Sequence, residues 1–90
     1  MCTYQTTKLE ARGSGKGAQG WFPLTDVTVY FDHPVHAWSD HSLNIDFFNF
    51  KDGAADRVAV ELEPSTARAL VAAIVQMLDS APASLLEPSA

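Results

Sequence analysis

The sequence predicts an α+β fold in which four strands form an antiparallel meander sheet and one C-terminal helix packs on one face. Three segments between residues 24 and 63 alternate apolar and polar side chains with period two, which is typical of half-buried strands. Residues 66–81 instead carry apolar side chains at helical spacing. Short connections between successive strands favour pairing of neighbours, so we expect the order β-β-β-β-α.

The first strand is predicted over residues 2–12, CTYQTTKLEAR, which are rich in Thr and Tyr but alternate only weakly. So little of this segment is apolar that an edge position is favoured. Residues 13–20, GSGKGAQG, contain four glycines and predict a flexible connection to the second strand.

The two middle strands, LTDVTVYF (24–31) and LNIDFFNF (43–50), suggest a register. Opposing Phe31 with Leu43 places the apolar residues of both strands on one face. These residues are Val27, Val29, Phe31, Leu43, Ile45 and Phe47. Continued toward the loop, the same register opposes His33 with His41.

The fourth strand is predicted over RVAVELE (57–63), after the Asp-Gly turn signal in KDGAAD. Pro64 and Ser65 indicate a helix start with Ser65 as N-cap, and Pro82 ends the helix. The helical stripe comprises Ala67, Leu70, Val71, Ile74, Val75 and Leu78. Residues 1–80 therefore read as one domain, and residues 81–90 as a flexible tail.

Composition and charge argue against several functional classes. The 90 residues carry a formal charge of −5 and no basic stripe, which disfavours nucleic-acid binding. No apolar run is long enough to cross a bilayer, and the N-terminal segment lacks the apolar stretch of a signal peptide. The single cysteine, Cys2, excludes an internal disulfide. We expect a cytoplasmic protein that does not bind membranes.

The outer face of the predicted sheet carries aromatic residues that one helix on the other face cannot cover. They are Tyr30, Phe48 and Phe50, with Tyr4 a further candidate. An aromatic patch of this size on a small domain predicts a partner, most simply a second copy of the chain. The alternative is that these are scattered exposed aromatics without a role.

All three histidines lie within nine positions, and strand direction brings them near other polar groups. In a meander the start of strand one and the start of the helix lie at the same end of the sheet as the loop between strands two and three. That end would collect Cys2, Asp32, His33, His36, His41 and the positive pole of the helix. The glycine-rich loop goes to the opposite end.

Imidazole and thiolate groups suit zinc, copper or iron, so His33, His36, His41 and Cys2 are candidate metal ligands. Asp32 or Asp40 would orient a ligating imidazole. The spacing H-x2-H-x4-H matches no strong metal motif, and a solvated loop with satisfied histidines is the alternative.

A second hypothesis is a small enzyme in which Cys2, exposed by removal of Met1, is the nucleophile and His33 its base. A third is a small-molecule site with Asp32, His36, Tyr30 and Lys16 as ligand-binding residues. Lys16 lies in GSGKG, which lacks the P-loop pattern. The sequence leaves open whether the protein is an enzyme.

Four motifs resemble a family of small uncharacterised bacterial proteins, over roughly residues 1–80. They are Met1-Cys2-Thr3-Tyr4, Gly13-Ser14-Gly15-Lys16-Gly17, Trp21-Phe22 and Phe31-Asp32-His33-Pro34. The resemblance carries no assigned activity and transfers no catalytic role. It draws attention to the cysteine, the Gly-Lys-Gly segment and the Asp-His-Pro motif rather than to the apolar stripe.

Overall fold

The computed structural model describes residues 5–33, 40–51 and 56–87. Four strands, a helix and a 3-10 turn follow one another: β1 (Thr6–Gly17), β2 (Gly20–Asp32), β3 (Ser42–Phe48), β4 (Arg57–Leu62), α1 (Pro64–Ser80) and Ala83–Leu85. The strands lie in the order β1-β2-β3-β4, and each neighbouring pair is antiparallel. The predicted α+β meander with a C-terminal helix is confirmed.

The register of the two middle strands is also as predicted. Phe31 pairs with Leu43, and the rows Val29–Ile45 and Val27–Phe47 follow on the same face. Strand β4 extends these rows, since its Val58, Val60 and Leu62 pair with Phe47, Ile45 and Leu43. Period-two alternation favours such a register, because a shift by one residue would turn the apolar side chains of one strand to the other face.

The glycine-rich segment is not the flexible connection that the sequence predicted. Strand β1 continues to Gly17, which pairs with Gly20, so only Ala18 and Gln19 form the turn. Gly20 has a φ of 109°, a conformation that side-chain-bearing residues rarely adopt. A β-bulge between Glu10 and Gly13 lengthens β1 and bends it.

The bend carries the far end of β1 over the sheet to contact β4. Phe22 lies beneath the bent end of β1 (Gly15–Gly17), which we call the glycine arch. It is the only buried hydrophobic residue in the described ranges, at 6% exposure. A Cβ at Gly15 would lie 3.6 Å from Phe22, and one at Gly17 only 3.1 Å away. Glycine is therefore required here for close packing, which explains a composition that otherwise suggests a loop.

Helix α1 begins at Pro64, where proline is well tolerated because the first N–H groups of a helix lack internal partners. Glu63 occupies the cap position and makes no side-chain capping bond, so the prediction of Ser65 as N-cap is wrong. After the helix, Ala83–Leu85 forms a short 3-10 turn within the predicted tail. Within the described ranges, no helix has the length and apolar character required to span a bilayer.

The contacts of α1 with the sheet are sparse and lie mainly on β3. No residue of the helix is buried. Five residues of its apolar stripe are between 42% and 62% exposed: Leu70, Val71, Ile74, Val75 and Leu78. The helix lies on the predicted side of the sheet but leaves much of its apolar surface uncovered.

Candidate site at the histidine end of the sheet

Strand direction brings four chain segments to one end of the sheet, as predicted. The backbone N–H of Phe31 donates to the carbonyl of Gln5 at 3.4 Å, so the start of β1 lies beside the end of β2. Asp32 pairs with Ser42, and Leu43 with Leu62, one residue before the loop to α1. Cys2 and His36, which were predicted to join this end, lie outside the described residues.

His33 and His41 face each other across the neck of the β2–β3 hairpin. Their ring centroids are 4.5 Å apart, with the ring planes tilted by 31°. His41 also stacks on Phe31, with a centroid distance of 5.6 Å and an angle of 10°. The predicted opposition of the two histidines is thus present, and the aromatic ring of Phe31 supports it from inside the sheet.

Hydrogen bonds fix His33 through both its backbone and its ring. The His33 backbone N–H donates to Oδ1 of Asp32 at 2.7 Å. The ring nitrogen Nδ1 lies 2.9 Å from the backbone carbonyl oxygen of Asp40. A carbonyl only accepts, so Nδ1 is the donor in this contact. We predicted orientation by an aspartate carboxylate, and the ring contact is instead to the Asp40 main chain.

A small polar network stabilises the base of the hairpin. Ser42 is fully buried, and its hydroxyl is 2.6 Å from Oδ1 of Asn44, itself only 4% exposed. The same hydroxyl lies 3.5 Å from the carbonyl of Asp32. Buried polar groups that satisfy one another hold the backbone in one arrangement. Next to the histidines, the two strands themselves are joined by the backbone pairing of Asp32 with Ser42.

The other predicted ligand residues are not brought to one place. Lys16 pairs with Trp21 near the β1–β2 turn, at the end of the sheet opposite to His33. Tyr30 pairs with Asn44 and Thr6 and is half-buried. Among the described residues, no group of three or more His, Cys, Asp or Glu side chains is arranged to hold a metal ion. Within those residues the candidate site is a histidine pair with Asp32 and Asp40 beside it.

The structure also contains an apolar groove that the sequence did not predict. It encloses about 310 Å³ between α1 and the inner face of the sheet. Its apolar lining includes Val29, Leu43, Ile45 and Leu62 from the sheet and Ala67, Leu70, Val71 and Ile74 from the helix. One signal could have indicated it: Arg68 and Asp79 are the only charged residues in 17 helical positions. A helix so apolar on all sides requires burial on more than one side.

Comparison with known proteins adds a family but no activity. No curated protein and no solved structure matches the chain. Residues 1–87 match the model of a family described as a family of unknown function, DUF6295. The match covers nearly the whole chain, in agreement with the resemblance read from its motifs, and the chain belongs to this family of unknown function.

Proposed function

We propose that the protein is a homodimeric binding and assembly module whose two chains associate through the apolar groove and the exposed stripe of α1. The observation that carries the proposal is the exposure of this helix. Its five stripe residues are about half exposed, although a helix with two charges in 17 residues is typical of a protein interior.

The exposed area of the chain is larger than expected for a compact monomer. A folded monomer of 9.8 kDa is expected to expose about 5,200 Å². This chain exposes 7077 Å². The difference is in the direction expected of a chain that covers further surface with a partner. The radius of gyration, 14.8 Å, also exceeds the roughly 12 Å of a compact chain of this length.

A second copy of the chain is the partner that these observations favour. With Phe22 as the only buried hydrophobic residue in the described ranges, the isolated chain buries little apolar surface, and a partner on the groove would add to its stability. Another copy of the chain is present wherever the chain is made, which makes it the simplest partner. A two-fold dimer uses the same patch on both subunits. Here the patch contains both the exposed stripe of α1 and the apolar groove, so the stripe of one chain can pack into the groove of the other.

The inner surface is a better candidate for the interface than the aromatic outer face considered from sequence. On the outer face Tyr30 and Phe48 are half-buried within the chain. Phe50, at 77% exposure, stands at the end of β3 rather than within a patch of described residues. The larger continuous apolar surface is the groove with α1.

Light scattering after size-exclusion chromatography tests the proposal on the full chain. The expected mass is close to twice the 9.8 kDa of one chain. Ile74→Glu places a charge in the groove and should yield monomers or unfolded chains. Ala69→Glu introduces the same side chain on the opposite side of α1 and should leave the dimer intact.

Two results would overturn the proposal. The first is a folded monomer of the unmodified chain at high concentration. The second is a dimer that Phe48→Glu dissociates while Ile74→Glu does not, because the interface would then be on the outer face.

A further inference from the structure

We infer that the two chains of the dimer also pair with each other along the outer edges of their β4 strands, antiparallel and centred on Ala59. The inference rests on the homodimer proposed above, and it adds a second contact that fixes how the two chains are aligned. It depends on the position of β4 in the sheet, on the lack of protection of its edge, and on a charge pattern that is complementary to itself.

One side of β4 faces no other described strand. β4 is the last strand of the sheet, and β3 is its only neighbour among the described strands. The N–H of Asn49 donates to the carbonyl of Asp56 at 3.1 Å, which fixes the alternation of hydrogen-bonded pairs between β3 and β4. The β4 residues that bond to β3 are then Val58, Val60 and Leu62. The residues whose N–H and C=O groups point away from the sheet are Arg57, Ala59 and Glu61.

The two edges of the sheet differ in how well they are protected against pairing with another chain. Lysine side chains and β-bulges are the usual protection of an edge strand. β1 has both, in Lys8 and in the bulge after Glu10. The register of β4 with β3 is unbroken from Arg57 to Leu62, and residues 58–60 are Val-Ala-Val. The β4 edge therefore has the regular, uncharged centre of a strand that accepts a partner.

The order of side chains along β4 is complementary to itself. When Ala59 opposes its own copy, Arg57 of each chain opposes Glu61 of the other chain on the outer face. On the apolar face, Val58 of each chain then opposes Val60 of the other. Val60 is 36% exposed in the single chain and gains an apolar neighbour in this pairing. A two-fold axis through Ala59 satisfies both faces at once.

The rest of the chain is compatible with a strand added at this edge. The glycine arch approaches the start of β4 from the apolar face, where a Cβ at Gly17 would lie 3.7 Å from the carbonyl oxygen of Arg57. An added strand lies instead in the plane of the sheet. Four strands from each chain then form one eight-stranded sheet with both apolar faces on the same side. Both α1 helices lie on that side, so one dimer can cover their exposed stripes as well.

Proline at position 59 tests the backbone pairing. It removes the outward N–H of Ala59 and no bond to β3, so the chain can still fold. The substitution occurs twice per dimer and removes both hydrogen bonds of the central pair. The dissociation constant of the dimer, measured by analytical ultracentrifugation, should therefore rise about tenfold or more. Ala59→Thr keeps the N–H and favours strands, so it should change the dissociation constant by less than about twofold.

Exchange of the two charges tests the register. Arg57→Glu or Glu61→Arg alone places like charges opposite each other and should raise the dissociation constant about fivefold or more. The double variant restores opposite charges and should recover most of the affinity. Asp46→Asn is the control, because it removes the 3.0 Å ion pair of Arg57 within one chain and leaves the edge unchanged. If the double variant dimerises no better than the single variants, the register centred on Ala59 is wrong.

Cysteine cross-linking covers the case in which proline disturbs the strand. Cα atoms of a hydrogen-bonded antiparallel pair are about 5.5 Å apart, a distance that a disulfide spans. In a Cys2→Ser background, Ala59→Cys should form disulfide-linked dimers with oxidised glutathione, whereas Gln19→Cys in the exposed β1–β2 turn should not.

The outcomes separate edge pairing from the homodimer itself. A dimeric Cys2→Ser chain in which Ala59→Cys does not cross-link, or cross-links no better than Gln19→Cys, would overturn edge pairing and leave the homodimer in place. A folded Ala59→Pro variant with an unchanged dissociation constant would do the same. A folded monomer of the unmodified chain would overturn both proposals.

Discussion

Gly15 in β1 lies against Val58 in β4, although two strands separate β1 from β4 in the sheet. A Cβ at Gly15 would be 3.7 Å from Cγ2 of Val58 and 3.2 Å from Cδ2 of Leu24. The bulge after Glu10 produces this approach by bending β1 over the apolar face. The bent hairpin therefore closes one end of the apolar face, whereas the other end is left to α1.

Gly17 and Gly13 should respond differently to the same substitution. A Cβ at Gly17 would lie 3.1 Å from Cε1 of Phe22, whereas a Cβ at Gly13 meets nothing within 4 Å. Gly17→Val should lower the free energy of unfolding by about 1–3 kcal/mol through overpacking. Gly13→Val should be neutral or slightly stabilising, because valine favours strands. Urea denaturation followed by circular dichroism measures the stability of both variants. Equal losses of stability would contradict the close packing of the glycine arch on Phe22.

Gly20 tests backbone conformation in the absence of steric crowding. Its φ is 109°, and a Cβ there would meet nothing within 4 Å. Gly20→Ala should therefore cost about 1–3 kcal/mol of stability through backbone strain alone. Gly13→Ala is the control, since Gly13 does not have a positive φ. Comparable stability of the two alanine variants in urea would show that the turn can relax.

Phe22 should be the most sensitive apolar position of the hairpin. It is 6% exposed beneath the glycine arch, while the adjacent Trp21 is 70% exposed. Phe22→Ala should destabilise the protein by about 3–5 kcal/mol, the usual range for a buried aromatic residue. Trp21→Ala should change stability by less than about 0.5 kcal/mol. Thermal unfolding followed by circular dichroism compares the stabilities of the two variants. A larger loss of stability for Trp21→Ala would mean that Phe22 is not the main buried residue of the hairpin.

Asn49 connects the end of β3 to β2. Its Nδ2 donates to the carbonyl of Pro23 at 2.8 Å, and its Oδ1 accepts from the N–H of Lys51 at 2.8 Å. The residue is 4% exposed. Asn49→Asp keeps the shape but removes the donor, so we expect a loss of about 1–3 kcal/mol at neutral pH.

Gln19→Glu makes the same amide-to-carboxylate change in the exposed β1–β2 turn and serves as the control for added charge. It should leave the midpoint of urea denaturation nearly unchanged. If both variants lose the same stability, the cause is net charge and not the Asn49 hydrogen bonds.

Residues whose side chains alternate strictly were predictable from sequence. The pairing of Phe31 with Leu43 followed from period-two alternation, and the opposition of His33 and His41 followed from that pairing. The length of β1 was not predictable in this way. Glycine at positions 15 and 17 reads as a turn signal, and its real cause is the close packing of Phe22 from the paired strand together with the approach of Val58 and Arg57 from β4. Sequence spacing does not reveal such long-range contacts.

The packing of α1 shows a second limit. The stripe from Ala67 to Leu78 correctly indicated which side of the helix faces the sheet. It could not indicate how completely the sheet covers that side, because periodicity describes the direction of apolar side chains and not the area available to them. The half exposure of Ile74 is a property of the tertiary arrangement.

The thermal stability of the protein should depend on its own concentration, if the proposed homodimer unfolds to two free chains. Tenfold dilution removes about 1.4 kcal/mol of apparent stability per dimer. With the usual unfolding entropy per residue, this corresponds to a fall of about 4 °C in melting temperature. Differential scanning calorimetry over a series of concentrations measures the shift. A melting temperature independent of concentration would mean that the chain unfolds as a monomer, and the exposed stripe of α1 would then need no second copy.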